Sequence, residues 1–301
     1  MRQLIDDLLS IAGAHQILED EPMSRHTTFK VGGPADVLFL PESEEQLLRA
    51  ISFAKEGGVP CIVIGNGSNL VVRDGGIRGL VIALGEGMAA IVRTGETLSA
   101  WAGASLARVA SYAQASGLSG LEFASGIPGT LGGGCAMNAG AYGGQLSDVL
   151  IDARVLLDGE VRTLTVDDMQ MGYRTSLPLR RGGIVISARF ALKPDEPEAI
   201  AARMRELNAC RRDKQPLNYP SAGSTFKRPP VGYAAAHIDE CGLKGRSVGG
   251  AQVSEKHAGF IVNTGGATAK DILTLIGNVQ DEVAARFGVR LETEVRILGE
   301  D

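Results

Sequence analysis

Apolar and polar positions alternate along this chain in short runs that predict strands, with a few longer stretches at helical spacing. Val37 to Leu40 predicts a strand, after which Ser43 and Gln46 form a capping box for a helix that carries Leu47, Leu48, Ile51 and Ala54 and stops at Gly57-Gly58. Cys61 to Ile64 is the next strand, and Leu80 to Ala83, Ala89 to Thr94, Asp152 to Leu157 and Ile184 to Leu192 read the same way. A helix over Leu106 to Ser116 ends at Gly117. Beyond Lys193-Pro194-Asp195-Glu196-Pro197 the pattern changes: Asp195 can cap a helix with Ile200, Met204 and Leu207 on one stripe. Thr268 and Asp271 cap a second helix that carries Ile272, Leu275, Ile276, Val279 and Val283 and ends at Gly288. In the final stretch Val289, Leu291, Thr293, Val295 and Ile297 alternate with Arg290, Glu292, Glu294 and Arg296, which predicts one strand with an apolar and a charged face.

These elements describe an α+β protein of 301 residues, long enough for two domains. The expected division is an N-terminal helix over residues 1–21, a first domain over 22–194 and a smaller α+β domain over 195–301. A net charge of −5 argues against a protein that grips nucleic acid, and the expected partners are small molecules. Local basic clusters at Arg211-Arg212-Asp213-Lys214 and Lys227-Arg228 suit a compact anion such as a diphosphate, or a solvated loop. Cys61, Cys135, Cys210 and Cys241 are too scattered to suggest a metal site. Met1 to Ile11 lacks the order of a secretory signal and no run reaches the ~18 apolar residues of a membrane span, so the expected location is the cytoplasm, with no membrane partner.

Glycine is over-represented, 40 of 301 residues against roughly 7% in average proteins. The strand Cys61–Ile64 runs into Gly65-Asn66-Gly67-Ser68-Asn69-Leu70, whose backbone N–H groups could form an anion nest. Leu70 replaces the third glycine of a dinucleotide fingerprint and Val71-Val72-Arg73 reads as strand, so this turn taken alone is better explained by an ordinary strand-to-strand connection. A second stretch, Gly126-Ile127-Pro128-Gly129-Thr130-Leu131-Gly132-Gly133-Gly134, is followed by Met137-Asn138-Ala139-Gly140-Ala141-Tyr142-Gly143. So much glycine suits a flat cofactor lying against the main chain, with Asn138 offering side-chain hydrogen bonds.

G-N-G-S-N, G-I-P-G-T-L-G-G and M-N-A-G-A-Y-G resemble the FAD-binding motifs of the UDP-N-acetylenolpyruvoylglucosamine reductase family, within the p-cresol methylhydroxylase-like (PCMH) flavoproteins. Y-R-T-S from Tyr173 to Ser176, K-Q-P-L-N-Y-P-S-A-G-S-T-F-K-R-P from Lys214 to Pro229, and E-V-R-I-L-G-E from Glu294 to Glu300 extend the resemblance over roughly Arg25 to Glu300. It implies a PCMH-type FAD module over 22–194 followed by a substrate domain, non-covalent FAD, NADPH as co-substrate, and reduction of a UDP-sugar enolpyruvyl ether in peptidoglycan precursor synthesis. It implies catalytic roles for Arg174, Ser224 and Glu294, and FAD contacts from Gly65 to Asn69, from Gly126 to Thr130, at Gly132 and Gly133, and from Asn138 to Ala141. Arg174 offers a planar fork for a substrate carboxylate, Ser224 sits in a small-residue turn suited to presenting a hydroxyl, and E-V-R selects Glu294 over its neighbour Glu292. Tyr173, Lys214, Lys227, Arg228 and Gln252 are the candidates for holding the UDP part. The compact C-terminal third matches the shorter form of the family, without a tyrosine-bearing insert. Two rivals are an oxidase of the same superfamily, which sometimes ties FAD to a histidine, and a nucleotide-sugar sensor without turnover. None of His15, His26, His237 and His257 lies in a glycine-rich motif, and a sensor has no need of a proton donor.

Overall fold

The computed structural model describes residues Met1–Asp301. They form an α+β protein of two compact units, neither of them a continuous segment: the first holds residues 1–17, 39–66 and 82–211, the second 18–38, 67–81 and 212–301.

In the first unit, helices α1 (Arg2–Leu9) and α2 (Glu44–Glu56) precede α3 (Leu106–Ala115), α4 (Leu131–Ala136), α5 (Leu177–Arg181) and most of α6 (Pro197–Lys214). Its main sheet has five antiparallel strands in the order Glu160–Thr165, Leu150–Leu157, Ile184–Ala191, Thr97–Trp101, Ile91–Thr94. Leu98, Ala153, Val155, Ala188 and Phe190 from this sheet are buried with Leu106, Val109 and Ala113 of α3 and Leu131 and Cys135 of α4. Two of these strands are additional to those predicted: Glu160–Thr165, whose alternation is weak, and Thr97–Trp101, which alternates but is only five residues long. The strand Glu160–Thr165 is almost wholly exposed and joins its neighbour through Asp158-Gly159, both at positive φ (55° and 85°), as a two-residue hairpin turn demands. Thr97–Trp101 returns from Ile91–Thr94 through Gly95 at φ 62°.

Helix α2 starts where its pattern predicts, with Ser43 Oγ accepting the Gln46 N–H at 3.2 Å, but the reciprocal half of the capping box does not form. The Gln46 carboxamide turns instead to Glu42 N–H (2.7 Å) and to the Ile11 carbonyl (3.0 Å). Asp195 does not cap α6 by itself. Glu196 O takes the Ile200 N–H, while the Asp195 carboxylate accepts from Glu196 N–H (2.8 Å) and from Arg203 (2.5 Å).

The second unit contains strands Ile17–Pro22 and Pro34–Phe39, the small sheet Ser247–Val248, Ala251–Val253, Ile261–Asn263, and helices α7 (Ala234–Glu240) and α8 (Ala269–Phe287). The α8 stripe is buried as its spacing predicts, with Ile272, Leu275, Ile276, Val279 and Val283 packed against Ala251, Val253 and Ile261. Thr268 and Asp271 form a complete capping box, and Asp74 adds carboxylate hydrogen bonds to Ala269 and Lys270 N–H (2.8 and 2.9 Å). The C-terminal strand is shorter than its alternation predicts. Only Arg296–Leu298 forms a continuous strand, in parallel with Leu70–Val72, while Thr293 makes a single bridge to Phe226, and Ile297 is 39% exposed. The reason lies one step earlier, where Glu294 and Val295 N–H both reach Thr225 O (2.8 and 3.5 Å), so two residues face one and the phase shifts.

Removing the α8 cap with Thr268→Ala should lower stability by about 1 kcal/mol, read as a lower urea midpoint with an unchanged slope.

Candidate functional site

The two glycine-rich motifs meet in the first unit. A Cβ on Gly65 would stand 2.1 Å from Thr130 Oγ1, so the first turn lies directly on the second. The second turn is stitched to the start of α3: Leu106 N–H donates to Gly129 O (3.0 Å), Leu131 N–H to Ala104 O (2.8 Å) and Gly132 N–H to Ala102 O (2.9 Å). Gly129, at φ +113°, makes the corner. The chain then enters the short helix α4, whose glycines are not equivalent. A Cβ on Gly132 would come 2.8 Å from Ala102 Cβ and one on Gly134 3.0 Å from Leu106 Cδ1, whereas on Gly133 it would meet only Thr130 Oγ1 at 3.8 Å. At 65, 126, 132, 134 and 140 the neighbours that forbid a side chain are therefore protein atoms, and Gly133 is the α4 glycine with an open face.

Asn138 is 3% exposed at φ 46°, a conformation asparagine tolerates better than most residues. Its Oδ1 accepts Ser147 N–H (3.0 Å) and its Nδ2 faces Gln145 Oε1 (3.2 Å), Ser147 Oγ (3.2 Å) and Gly172 O (3.3 Å). The carboxamide expected to reach a ligand is engaged within the protein, where it ties the Ala139–Gln145 hairpin to the residue before Tyr173-Arg174.

Those two residues form the tip of a tight turn closed by Gly172 N–H to Thr175 O (3.0 Å) and Thr175 N–H to Gly172 O (3.3 Å). Arg174 sits at φ 55°, which costs a non-glycine residue on the order of 1 kcal/mol or more, and the surroundings hold it there. Ser176, fully buried, donates to Ala136 O (2.7 Å) and caps α5, and Arg180 reaches Thr175 Oγ1 (3.3 Å) and Gln170 Oε1 (2.8 Å). The Arg174 guanidinium lies 5.3 Å from the ring centre of Tyr173, itself 55% exposed. Elsewhere in this unit, burial pulls the Arg211 guanidinium below its usual range and pushes the Tyr142 phenol above its own, each effect partly opposed by the other group. Gly126 packs against Arg211, with Cδ 3.2 Å from the position of a Cβ.

In the second unit the structure brings Ser224 and Glu294 onto neighbouring extended segments. Phe226 and Thr293 form an antiparallel bridge, Lys227 N–H donates to Glu292 O (2.9 Å) and Glu294 N–H to Thr225 O (2.8 Å). Gly223 at φ 75° turns the chain ahead of Ser224, and the Thr225 hydroxyl, fully buried, accepts Ile261 N–H at 3.1 Å. Asn69, last residue of the first glycine motif, clamps the other side: its Nδ2 donates to Glu294 O (3.0 Å) and its carbonyl accepts Arg296 N–H (2.9 Å). Glu292 is exposed and paired with Lys227 at 3.2 Å, so the two glutamates are in different surroundings.

Two polar atoms escaped the sequence reading. Thr28 Oγ1 is buried without a hydrogen-bond partner, beside Gly67, whose carbonyl takes the Thr28 N–H at 3.3 Å. Gln215 Oε1 is likewise orphaned, at a cavity of about 650 Å³ lined among others by Arg212, Tyr219, Gln252, Ser254 and Lys256. Of the residues expected to hold UDP, Gln252 lines this cavity, its Nε2 on Gly245 O and Ser247 Oγ (both 3.2 Å), while Lys214, Lys227 and Arg228 do not. Nothing in the sequence around Thr28 or Gln215 distinguishes them, because an unsatisfied group is a property of the packed state. The contact of Gly65 with Thr130 and the open Gly133 in the first unit fit an elongated cofactor lying on main chain.

Residues 35–165 match the family profile described as FAD binding domain, and residues 215–298 that of the UDP-N-acetylenolpyruvoylglucosamine reductase C-terminal domain. A UDP-N-acetylenolpyruvoylglucosamine reductase of Agathobacter rectalis is 53% identical over 297 residues, covering 94% of this chain and 94% of the relative. That of Alkaliphilus oremlandii is 51% identical over 286 residues, covering 95% and 94%. The crystal structure of the enzyme from Thermus caldophilus superposes with a TM-score of 0.81 at 39% identity, over 94% of this chain and 98% of the other.

The unequal glycines of α4 give a test. Gly133→Ala should raise the urea midpoint of the flavin-free protein, by up to about 1 kcal/mol, yet lower flavin retention through gel filtration. Gly132→Ala should destabilise the protein outright. Full retention by Gly133→Ala would show that the open face is not cofactor surface.

Proposed function

We infer how this chain divides its chemistry from the fact that it belongs to the UDP-N-acetylenolpyruvoylglucosamine reductase family. The reaction is reduction of the enolpyruvyl ether of UDP-N-acetylglucosamine-enolpyruvate to UDP-N-acetylmuramate, a step of peptidoglycan precursor synthesis, with NADPH as electron source. FAD, held without a covalent link, would supply the redox chemistry, hydride transfer between NADPH and the alkene.

The chain's own residues have three tasks: to hold the cofactor, to manage charge on the substrate and to supply a proton. The backbone from Gly65 to Asn69, from Gly126 to Thr130, at Gly132 and Gly133 and from Asn138 to Ala141 is assigned to FAD, with Asn138 acting through the hairpin that it secures. When hydride reaches the methylene carbon of the enolpyruvyl group, negative charge spreads from the adjacent carbon into its carboxylate. Arg174 is assigned to that carboxylate, because a guanidinium presents two parallel N–H donors and is always charged. Its strained, over-determined turn fixes those donors in advance of the reaction, which is what makes such stabilisation effective. Ser224 is assigned to donate its hydroxyl proton to the carbon bearing the carboxylate.

The observation that carries this reading is the junction of Ser224 and Glu294, distant in sequence and adjacent through the Thr225 and Glu294 backbone bond. A serine hydroxyl is a poor acid, and a glutamate on the next segment can order that hydroxyl and govern its proton exchange. The UDP part is assigned to Lys214, Lys227, Arg228 and Gln252 with Tyr173, the cavity at Gln215 and Gln252 giving it a concave bed. Functionally, residues 22–194 serve FAD and 195–301 serve the substrate, after the helix within 1–21. No helix is long and apolar enough to cross a membrane, and the proposed location is the cytoplasm, where the nucleotide substrates are.

Ser224→Ala should separate the half-reactions in stopped flow. Flavin reduction by NADPH should run at the wild-type rate, while reoxidation by the enolpyruvyl substrate should slow by about 10² to 10⁴, the usual worth of a positioned acid. Near-normal reoxidation would reduce Ser224 to a turn residue. Arg174→Lys keeps the charge and loses the fork, so turnover should fall on the order of 10² with flavin content unchanged; wild-type turnover would make Arg174 structural.

A further inference from the structure

The chain after Lys227-Arg228 makes an excursion that the assigned chemistry does not use. Pro229 and Pro230 have no N–H to offer a sheet or helix, Gly232 turns at φ +73°, and Tyr233 stands extended (φ −133°, ψ 136°) as the residue ahead of α7. His237 pins the loop: its Nε2 is 2.9 Å from Val231 O, a Cβ on Gly232 would touch its ring at 3.2 Å, and that ring meets Phe287 of α8 at a tilt of 38°, the centroids 4.6 Å apart. The loop is thus folded back on the helices, and it delivers one side chain to a defined place. Tyr233, 61% exposed, carries the Arg228 guanidinium over its ring at 5.0 Å from the centre.

We propose that Tyr233 is a positioning residue for the UDP-sugar substrate, its ring holding the Arg228 guanidinium by a cation–π contact so that its N–H groups are presented to the diphosphate. This rests on the assignment of Arg228 to that diphosphate. A guanidinium has two distinct binding surfaces: its flat face stacks on an aromatic ring, and its five N–H groups radiate in the plane. The Tyr233 ring offers the cation a π face and not an anionic acceptor, so the contact holds the guanidinium without neutralising it. It also removes rotamer freedom that a long exposed side chain would otherwise lose on binding. The Tyr173 ring against Arg174, at 5.3 Å, is the same device in the other unit, but there the partner is the next residue; at Arg228 a whole pinned loop is devoted to it.

The test uses the FAD-loaded enzyme, with Tyr233→Phe, Tyr233→Leu, Arg228→Met and the Arg228→Met/Tyr233→Leu double variant. KM for the enolpyruvyl substrate is measured beside the Kd of the product UDP-N-acetylmuramate, read from its perturbation of the flavin absorbance. Tyr233→Phe keeps the ring and should match the wild type. Tyr233→Leu should raise KM and Kd about two- to fivefold, the factor that an exposed cation–π contact supplies, with kcat and flavin reduction by NADPH unchanged. In the Arg228→Met background Tyr233→Leu should have no further effect. A fully additive double variant, or a Tyr233→Phe defect equal to that of Tyr233→Leu, would overturn the inference. If Arg228→Met alone leaves KM and Kd untouched, the diphosphate assignment falls first, and the proposal falls with it. Equal thermal midpoints across the single variants confirm that the comparison is between folded proteins.

Discussion

The backbone of Gly65 has to lie against the Thr130 side chain where the two glycine-rich turns meet, and the candidate site of the first unit is built outward from that contact. With Gly65 lying on Thr130, and Gly129 to Gly132 stitched to Ala102 to Leu106, there is no room for a side chain at Gly65 or Gly132. The constraint fixes where α4 begins, and α4 in turn receives Ser176 at its Ala136 end, which seats the Arg174 turn. A glycine motif that looks like a ligand cradle is thus first a packing device, and its binding surface is what remains at positions such as Gly133. Glycine composition alone cannot separate the two uses, because the same missing Cβ serves a neighbouring backbone or a cofactor equally well.

How much of this was legible depends on whether the signal is local. The stripe of α8, its capping box and its glycine stop are read directly from spacing, since they involve residues within one helix and one face. The Glu160–Thr165 strand was missed although Asp158-Gly159 announces a hairpin, because its side chains face solvent and carry no apolar alternation. The phase shift at Glu294 and Val295 has no signature in the sequence at all. It arises from a partner, Thr225, far away along the chain. The same holds for the site: Arg174, Ser224 and Glu294 were singled out by motif, but the left-handed turn at Arg174, the engaged carboxamide of Asn138 and the orphaned Thr28 hydroxyl are facts of packing.

Charge placement follows one rule in both units. Each candidate substrate arginine stands beside an aromatic ring, Arg174 with Tyr173 and Arg228 with Tyr233. Lys227 meets Glu292, an exposed pair that contributes little and is easily exchanged for an anion. An aromatic neighbour orients a cation without neutralising it, and a protein of net charge −5 can in this way still offer positive edges to a diphosphate.

The parallel pairing of Arg296–Leu298 with Leu70–Val72 has a consequence for how the molecule comes into being. The earlier strand is synthesised well before its partner, from which a long stretch of polypeptide separates it. Throughout that interval Val71 and Val72, both fully buried in the finished protein, have an open hydrogen-bonding edge. The second unit is therefore closed through a contact of very high sequence separation, whose loop-closure entropy makes it slower to form than the local contacts of a helix such as α8.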